Sequence, residues 1–222
     1  WNEQHVQEGA FFTKKITEDE VRDTIKGLAR LKAPGPDGLS NLFYKSFEPL
    51  LTPILKRLFN NIIKTKQVPP SMRLANTVLI YKKGDKNDIN NYRPISLVNV
   101  DAKIFSLILC NRLHGRIKKV VMPEQHGFIR GKNIVDPILN LDTTIKKMDK
   151  TNRVLLVDYE KAFDKVTHEA VIEAFRLAFT GSDAWKMIES WIKGNKSRLC
   201  VNGKLSGEVP LMKGVRQGDP IS

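Results

Sequence analysis

The chain has few of the residues that build disulfide scaffolds and zinc sites. Its 222 residues include two cysteines and four histidines. Cys110 and Cys200 stand alone, and no histidine lies at the spacing of a zinc ligand set. The sequence therefore disfavours a zinc centre. It predicts that both cysteines are reduced core residues of an intracellular protein, with no disulfide partner.

Long apolar runs are also missing. No run reaches the ~18 residues that a membrane-spanning helix needs, and no signal-peptide pattern is present. We therefore expect no membrane partner. The chain begins at Trp1 and ends at Ser222, directly after a motif-like segment. We expect it to be a piece of a longer protein.

Acidic side chains are scarce beside basic ones. Lys and Arg total 37 against 24 Asp and Glu, which gives a net charge of +13. Such a balance favours a partner rich in phosphate, because lysine and arginine displace the counterions of nucleic acids. Charge alone leaves a membrane-surface binder or a merely basic soluble protein open.

Hydrophobic periodicity predicts mostly helices with a few short strands, an α+β chain. A capping-box pattern at Thr17 opens the first helix, and Pro49 and Pro53 predict a break in the second. A strand is expected at residues 74–81 and helices at 99–120 and 134–149, with Arg112 facing outward. Residues 125–132 are expected to be extended. The Asn-Gly pair at 202–203 predicts a hairpin.

Residues 154–157 form a short apolar run that ends at Asp158. Such a run is typical of a strand buried on both faces, with the charge at its open end. A carboxylate there suits a hard cation such as Mg²⁺. Taken alone, the pattern favours a surface aspartate that ends a core strand over a metal ligand.

Several motifs follow one another in a fixed order. They are Ala-Pro-Gly-Pro-Asp-Gly at 33–38, Tyr-Arg-Pro-Ile-Ser-Leu at 92–97, Gln-His-Gly-Phe at 125–128, Asp-Tyr-Glu-Lys-Ala-Phe-Asp at 158–164 and Gly-Val-Arg-Gln-Gly-Asp-Pro at 214–220. This succession resembles the reverse transcriptase of non-LTR (LINE-type) retrotransposons, with variants similar to the RTE and jockey-like branches. The resemblance covers about residues 15–222.

The resemblance implies a right-hand polymerase that adds deoxynucleotides to a DNA 3′-OH on an RNA template. Residues 1–153 would be an N-terminal extension and the fingers. Residues 154–222 would begin the palm, with inserted fingers helices, and would stop before the family's aromatic-x-Asp-Asp hairpin and thumb. The implied partners are RNA, a DNA primer and dNTPs, and the implied location is nucleus and cytoplasm.

The resemblance also assigns roles in catalysis. Asp158 would be a metal-binding carboxylate and the backbone carbonyl of Tyr159 a further ligand, for two Mg²⁺ ions or for Mn²⁺. Phe163 would pack under the sugar and exclude a 2′-OH. Asp164 is expected to be structural, since its spacing from Asp158 does not match the second metal ligand.

Further roles concern nucleotide and template. Arg93 would bind the triphosphate with Lys82 or Lys83, whose register is ambiguous. The template-gripping residues would be Gln125, Gly127 and Lys132, and the residues beside the incoming nucleotide would be Gln217 and Gly218. For Phe128, a core position is favoured over a stacking platform, because a stacking ring must be exposed.

Other readings stay open. The chain could be a degenerate or co-opted relic that binds RNA through its basic surface, and a group II intron maturase would share the fold. Phe163 disfavours an RNA-templated RNA polymerase, which would need a smaller or polar residue to admit a 2′-OH.

One prediction concerns catalysis by this stretch alone. A single carboxylate cannot hold two Mg²⁺ ions, so we expect no polymerisation by the 222-residue chain. A primer-extension assay with Mg²⁺ and dNTPs should give no product above background. Extension that Asp158→Asn abolishes would contradict this.

Overall fold

The computed structural model describes residues 10–149, 151–180 and 182–222. The first nine residues of the predicted N-terminal extension lie outside this range. In the described part, the longer helices are α1 (Glu18–Gly27), α2 (Asn41–Ser46), α3 (Glu48–Thr65), α5 (Val100–Ile117), α6 (Val135–Lys147), α8 (His168–Ala178) and α9 (Ala184–Ile192). Two single-turn helices are α4 (Pro70–Arg73) and α7 (Ala162–Lys165).

The strands form one five-stranded mixed sheet. They are β1 (Leu74–Tyr81), β2 (Tyr92–Val98), β3 (Lys196–Val201), β4 (Lys204–Leu205) and β5 (Val209–Pro210). The order is β2-β1-β3-β4, and β5 also pairs with β3. β1 runs antiparallel to β2 and parallel to β3. The outer side of β2 is therefore a sheet edge in the described chain.

The predicted hairpin is confirmed. β3 and β4 pair antiparallel across Asn202 and Gly203, and both of these residues have positive φ, 50° and 77°. This is the backbone of a tight turn whose twist matches that of the flanking strands.

The helices enclose the hydrophobic core. α5 lies at its centre, and the Phe105 ring packs 5.1 Å from Phe59 of α3 and 5.2 Å from Trp191 of α9. All three rings are at most 1% exposed. The described helices include none that is long and apolar enough to cross a membrane.

Local sequence signals placed most helix ends correctly. The Thr17 hydroxyl accepts from the Glu20 N–H at 3.2 Å, and the Thr17 N–H donates to Glu20 Oε2 at 3.0 Å. The break in the second helical region falls at Phe47, ahead of both prolines. Pro49 stands in the first turn of α3, where its missing N–H costs no bond, and Pro53 lies within the helix.

Two other expectations were wrong. Residues 125–132 form a series of turns, with Phe128 and Gly131 at positive φ, instead of an extended segment. The two free cysteines are half-buried and lie outside the fully buried core. Burial still raises the pKa of the Cys110 thiol, and the nearby negative charge of Asp219 adds to this.

Arg112 was expected to face solvent, but its side chain is only 5% exposed. The guanidinium donates to Glu20 Oε1 at 2.7 Å and to Oε2 at 2.8 Å. It also donates to the backbone carbonyls of Phe12 at 3.2 Å, Lys14 at 2.5 Å and Lys15 at 3.3 Å. Periodicity missed this because the acceptors are about a hundred positions away. Arg112 thus joins α5 to α1 and to the segment before it.

The charge of Glu20 matters to this contact. Burial raises the pKa of Glu20, but hydrogen bonds from Arg112 and Thr17 lower it by more, so the pKa lies below the ordinary 4.5. A carboxylate whose pKa is lowered by folding contributes stability that is present above the unfolded pKa. That contribution disappears as the pH falls through the folded pKa.

Arg112→Met should lower the free energy of unfolding by about 3 kcal/mol at neutral pH, because it leaves buried acceptors without a donor. The deficit should shrink as the pH falls below 4.5 and through the lowered pKa of Glu20, where the carboxylate becomes protonated. Urea unfolding followed by circular dichroism measures both. Lys146→Met removes an exposed ion pair with Asp142 and should cost less than about 1 kcal/mol. Equal losses for the two variants would contradict the prediction.

Candidate functional site

A cavity of about 470 Å³ opens where three chain segments meet. These segments are the tip of the β1–β2 hairpin, the turn at α7 and the loop after β5. The lining residues are Leu79, Lys82, Ile89, Asn90, Tyr92, Arg93, Pro94, Lys161, Ala162, Phe163, Asp164 and Gln217. The cavity therefore brings together four residues that the motifs single out separately, Lys82, Arg93, Phe163 and Gln217.

The hairpin supplies the cavity with positive charge. Arg93 stands opposite Ile80 in the β1–β2 register and is exposed. The Lys82 N–H donates to the Asn91 carbonyl at 2.8 Å, which extends the ladder by one step. Lys82 lines the cavity and Lys83 does not. The sequence left the choice between the two lysines open, and Lys82 is the one that lies at this cavity.

Backbone contacts fix Phe163 beside the loop after β5. The Gly214 N–H donates to the Val166 carbonyl at 2.7 Å, and the Val215 N–H donates to the Phe163 carbonyl at 2.8 Å. Gly214 has φ +77°, and a Cβ there would lie 2.8 Å from the Phe163 oxygen. Buried His168 makes a hydrogen bond of 3.0 Å to the Gly214 carbonyl. Glycine is required here because a side chain would separate the two segments.

The same loop then docks on the edge of the sheet. The Ser96 N–H of β2 donates to the Gln217 carbonyl at 2.8 Å. Gly218 has φ +117°, and a Cβ there would lie 2.9 Å from the Ser96 oxygen. The loop therefore closes against β2 on one side and against residues 163–166 on the other.

Sequence reasoning missed Lys161 and Asn90. Lys161 adopts the left-handed conformation, with φ 53°, and its Nζ donates to Asn90 Oδ1 at 2.9 Å across the cavity. The only sequence signal was that Lys161 lies two positions before Phe163, within the same motif. Three cations, Lys82, Arg93 and Lys161, thus face one carboxylate, Asp164, so the lining is net positive. The cavity suits an anionic ligand of the size of a nucleotide.

The favoured core position of Phe128 was wrong. Its side chain is 86% exposed at φ 62°, while its neighbour Ile129 takes the buried place at 7%. The Phe128 ring meets Phe163 edge to face, with centroids 6.2 Å apart. An aromatic pair therefore stands beside the cavity.

The expectation of a buried strand before Asp158 was also wrong. Residues 152–159 form no strand, and the run 154–157 is exposed, with Leu155 at 85% and Leu156 at 81%. The described chain contains no strand that pairs with it, so nothing covers either face. Asp158 is exposed, and Tyr159 is 81% exposed.

The donor set for a metal ion is incomplete in the described residues. They contain no group of three His, Cys, Asp or Glu side chains that could hold an ion. Mg²⁺ takes about six oxygen ligands, of which Asp158 and the Tyr159 carbonyl could supply only a part. These residues alone do not fit a complete magnesium site.

The residues expected to grip template lie in a separate group of turns. Gln125 Nε2 donates to the Gly127 carbonyl at 3.0 Å, and Lys132 Nζ donates to the Pro123 carbonyl. Gln125, Gly127 and Phe128 line a second cavity of about 720 Å³ with apolar residues of α5. The structure keeps these residues outside the cavity that holds Arg93.

Gly214→Ala should destabilise the protein more than Gly203→Ala does. Both glycines have φ +77°, but a Cβ at Gly203 meets nothing within 4 Å. The shared cost of the left-handed backbone is about 1 kcal/mol, and the overlap at Gly214 should add about 1–3 kcal/mol. Urea unfolding measures the difference. Matching losses would mean that the two segments are not held in contact.

Comparisons with known proteins identify the family of this chain. Residues 80–222 match the family described as Reverse transcriptase (RNA-dependent DNA polymerase). The transposon TX1 uncharacterized 149 kDa protein of Xenopus laevis is 30% identical over 93% of this chain and 16% of its own length. A probable RNA-directed DNA polymerase from transposon BS of Drosophila melanogaster is 26% identical over 94% of the chain and 24% of its own length.

A third relative is the RNA-directed DNA polymerase from the mobile element jockey of Drosophila melanogaster. It is 25% identical over 93% of this chain and 23% of its own length. The chain thus spans less than a quarter of each of these three relatives. The matched region, residues 80–222, contains the tip of the β1–β2 hairpin, the α7 turn and the loop after β5, which together build the cavity. The chain belongs to the reverse transcriptases of non-LTR retrotransposons.

Proposed function

We propose that the chain contributes the fingers and the beginning of the palm to an RNA-directed DNA polymerase, and that its 470 Å³ cavity binds the incoming dNTP. The observation that carries this proposal is the convergence of Lys82, Arg93, Phe163 and Gln217 on one cavity. Arg93, Phe163 and Gln217 come from three motifs that are far apart in the sequence, and Lys82 lies a few residues before the first of these. A site for a nucleotide needs cations for the phosphates, and an aromatic surface and an amide for the sugar and base, all in one cavity.

Charge assigns the triphosphate to the hairpin side of the cavity. The planar guanidinium of Arg93 suits the paired oxygens of a phosphate, and the ammonium groups of Lys82 and Lys161 add compact positive charge. Lys161 joins this set because its hydrogen bond to Asn90 holds it beside the hairpin. The base and sugar would then lie toward Phe163 and Gln217.

Phe163 is the residue proposed to select deoxynucleotides. Its ring is half-buried in the cavity wall, and its carbonyl is held by the Val215 N–H. The exposed Phe128 ring meets the Phe163 ring edge to face, with centroids 6.2 Å apart. A ring fixed in this way would leave no space for a 2′-OH. Gly218, without a side chain, would let the template base approach the backbone closely.

The metal-dependent part of the proposal rests on Asp158. As an exposed carboxylate a few residues before Phe163, it could serve as one ligand of Mg²⁺, with the Tyr159 carbonyl beside it. The remaining ligands would come from outside the described residues. When bound, Mg²⁺ would supply charge neutralisation at the reacting phosphate.

The proposed division into domains follows the same scheme. Residues 1–153 would form the N-terminal extension and fingers, and residues 154–222 the start of the palm with its inserted helices. Gln125, Gly127 and Lys132 would contact an RNA template, and a DNA primer would be the second nucleic acid. The net charge of +13 favours such partners.

The two adjacent lysines of the hairpin give a matched test. Lys82→Ala should weaken binding of a fluorescent dATP analogue to the 222-residue chain about tenfold, the loss expected for one charge-assisted contact. Lys83→Ala removes the same charge from outside the cavity and should change the dissociation constant less than about threefold. A titration followed by fluorescence anisotropy measures both.

Equal weakening by the two variants would mean that only net charge matters, and it would contradict the proposed site. If the chain binds single-stranded RNA but no nucleotide, the RNA-binding relic becomes the better function. Phe163→Ala provides a second check. It should bring the affinities for ATP and dATP analogues closer together than they are in the unmodified chain.

A further inference from the structure

The loop that carries Gln217 contains a buried ion pair. Arg216 and Asp219 flank Gln217 and Gly218, and both charged side chains are 2% exposed. Arg216 Nη2 donates to Asp219 Oδ2 at 2.6 Å. The two residues between them behave differently, because Gln217 is half-buried in the cavity wall and Gly218 is exposed. Two buried anchors, Arg216 and Asp219, therefore flank two more exposed residues, Gln217 and Gly218.

Each anchor is tied to a different part of the core. Arg216 Nη1 donates to the Met72 carbonyl of α4 at 3.1 Å, and the guanidinium lies 5.4 Å from the centre of the Trp191 ring. Asp219 accepts from the Trp191 Nε1–H at 3.1 Å and from the Ser106 hydroxyl of α5. Hydrogen bonds thus attach the loop to α4, α5 and α9.

We propose that Arg216 and Asp219 are positioning residues that set the place of Gln217 against the cavity. This rests on the proposed nucleotide-binding function of Gln217. A buried ion pair adds little net stability, because desolvation offsets the attraction between the charges. Its directional bonds do fix the loop in one register. The pair acts on the contact between the Gln217 carbonyl and Ser96, because Gln217 lies between the two anchors in the chain, whereas Val215 lies before them.

The two sides of the loop allow a specific test by amide hydrogen exchange, measured by NMR on the 222-residue chain. The Ser96 N–H reports the Gln217 contact, and the Val215 N–H reports the contact with Phe163. Asp219→Asn removes the negative charge that pairs with the buried Arg216 guanidinium. Exchange at Ser96 should accelerate about tenfold or more, while exchange at Val215 changes less than about threefold.

Glu208→Gln is the matched control. It also converts a carboxylate paired with an arginine, Arg198 at 2.7 Å, but that pair is at the surface. It should leave exchange at both reporters unchanged. Ser106→Ala removes one partner of Asp219 without changing charge, so it serves as a milder variant if Asp219→Asn does not fold. Ser106→Ala should also accelerate amide exchange at Ser96 more than at Val215, by a smaller factor than Asp219→Asn does.

Equal acceleration of exchange at both reporters would show a merely structural role and would overturn the inference. Unchanged exchange at Ser96 would overturn it as well. Binding of the dATP analogue separates this result from the proposed function. If the unmodified chain binds and Gln217→Ala and Asp219→Asn both weaken binding, the two proposals stand together. If Ser96 responds selectively but the unmodified chain binds no nucleotide, the positioning role holds and the proposed function fails.

Discussion

The candidate site depends on one loop that is held from two sides by backbone hydrogen bonds. On one side Gly214 and Val215 bond to residues 163–166, and on the other side Gln217 bonds to the edge strand β2. Both contacts need glycine, since a Cβ at Gly214 or Gly218 would overlap a backbone oxygen. This loop is the segment that connects the hairpin, which carries the cations, to the turn that carries Phe163. The cavity is therefore a consequence of chain packing.

The distribution of charge follows a similar division. The chain is strongly basic, yet Arg112 and Arg216 are buried, and each is hydrogen-bonded to a carboxylate and to backbone carbonyls. These two cations hold segments of the fold together. The cations that line the cavity, Lys82, Arg93 and Lys161, are exposed, and Lys161 donates to Asn90 Oδ1 there. The buried arginines thus stabilise the fold, whereas the exposed cations line the cavity.

The sequence predicted features that depend on neighbours along the chain. The capping box at Thr17, the bounds of β1 and the Asn-Gly turn all follow from local backbone preferences. The motif residues Arg93, Phe163 and Gln217 were also identified before their convergence was known. The errors concern distant contacts. Arg112 is buried by residues far away in the sequence. Ile129 is buried where Phe128 was expected, and no strand of the described residues pairs with the run before Asp158. No local pattern contains that information.

The contacts of Arg112 have a practical consequence for the choice of expression boundaries. The guanidinium takes its acceptors from α1 and from the carbonyls of Phe12, Lys14 and Lys15. The matched family region begins only at residue 80. A shortened protein that started there would keep α5 but lose every described acceptor of its buried cation. An expression boundary ahead of Phe12 keeps these acceptors, and it lies well before the region by which the family is recognised.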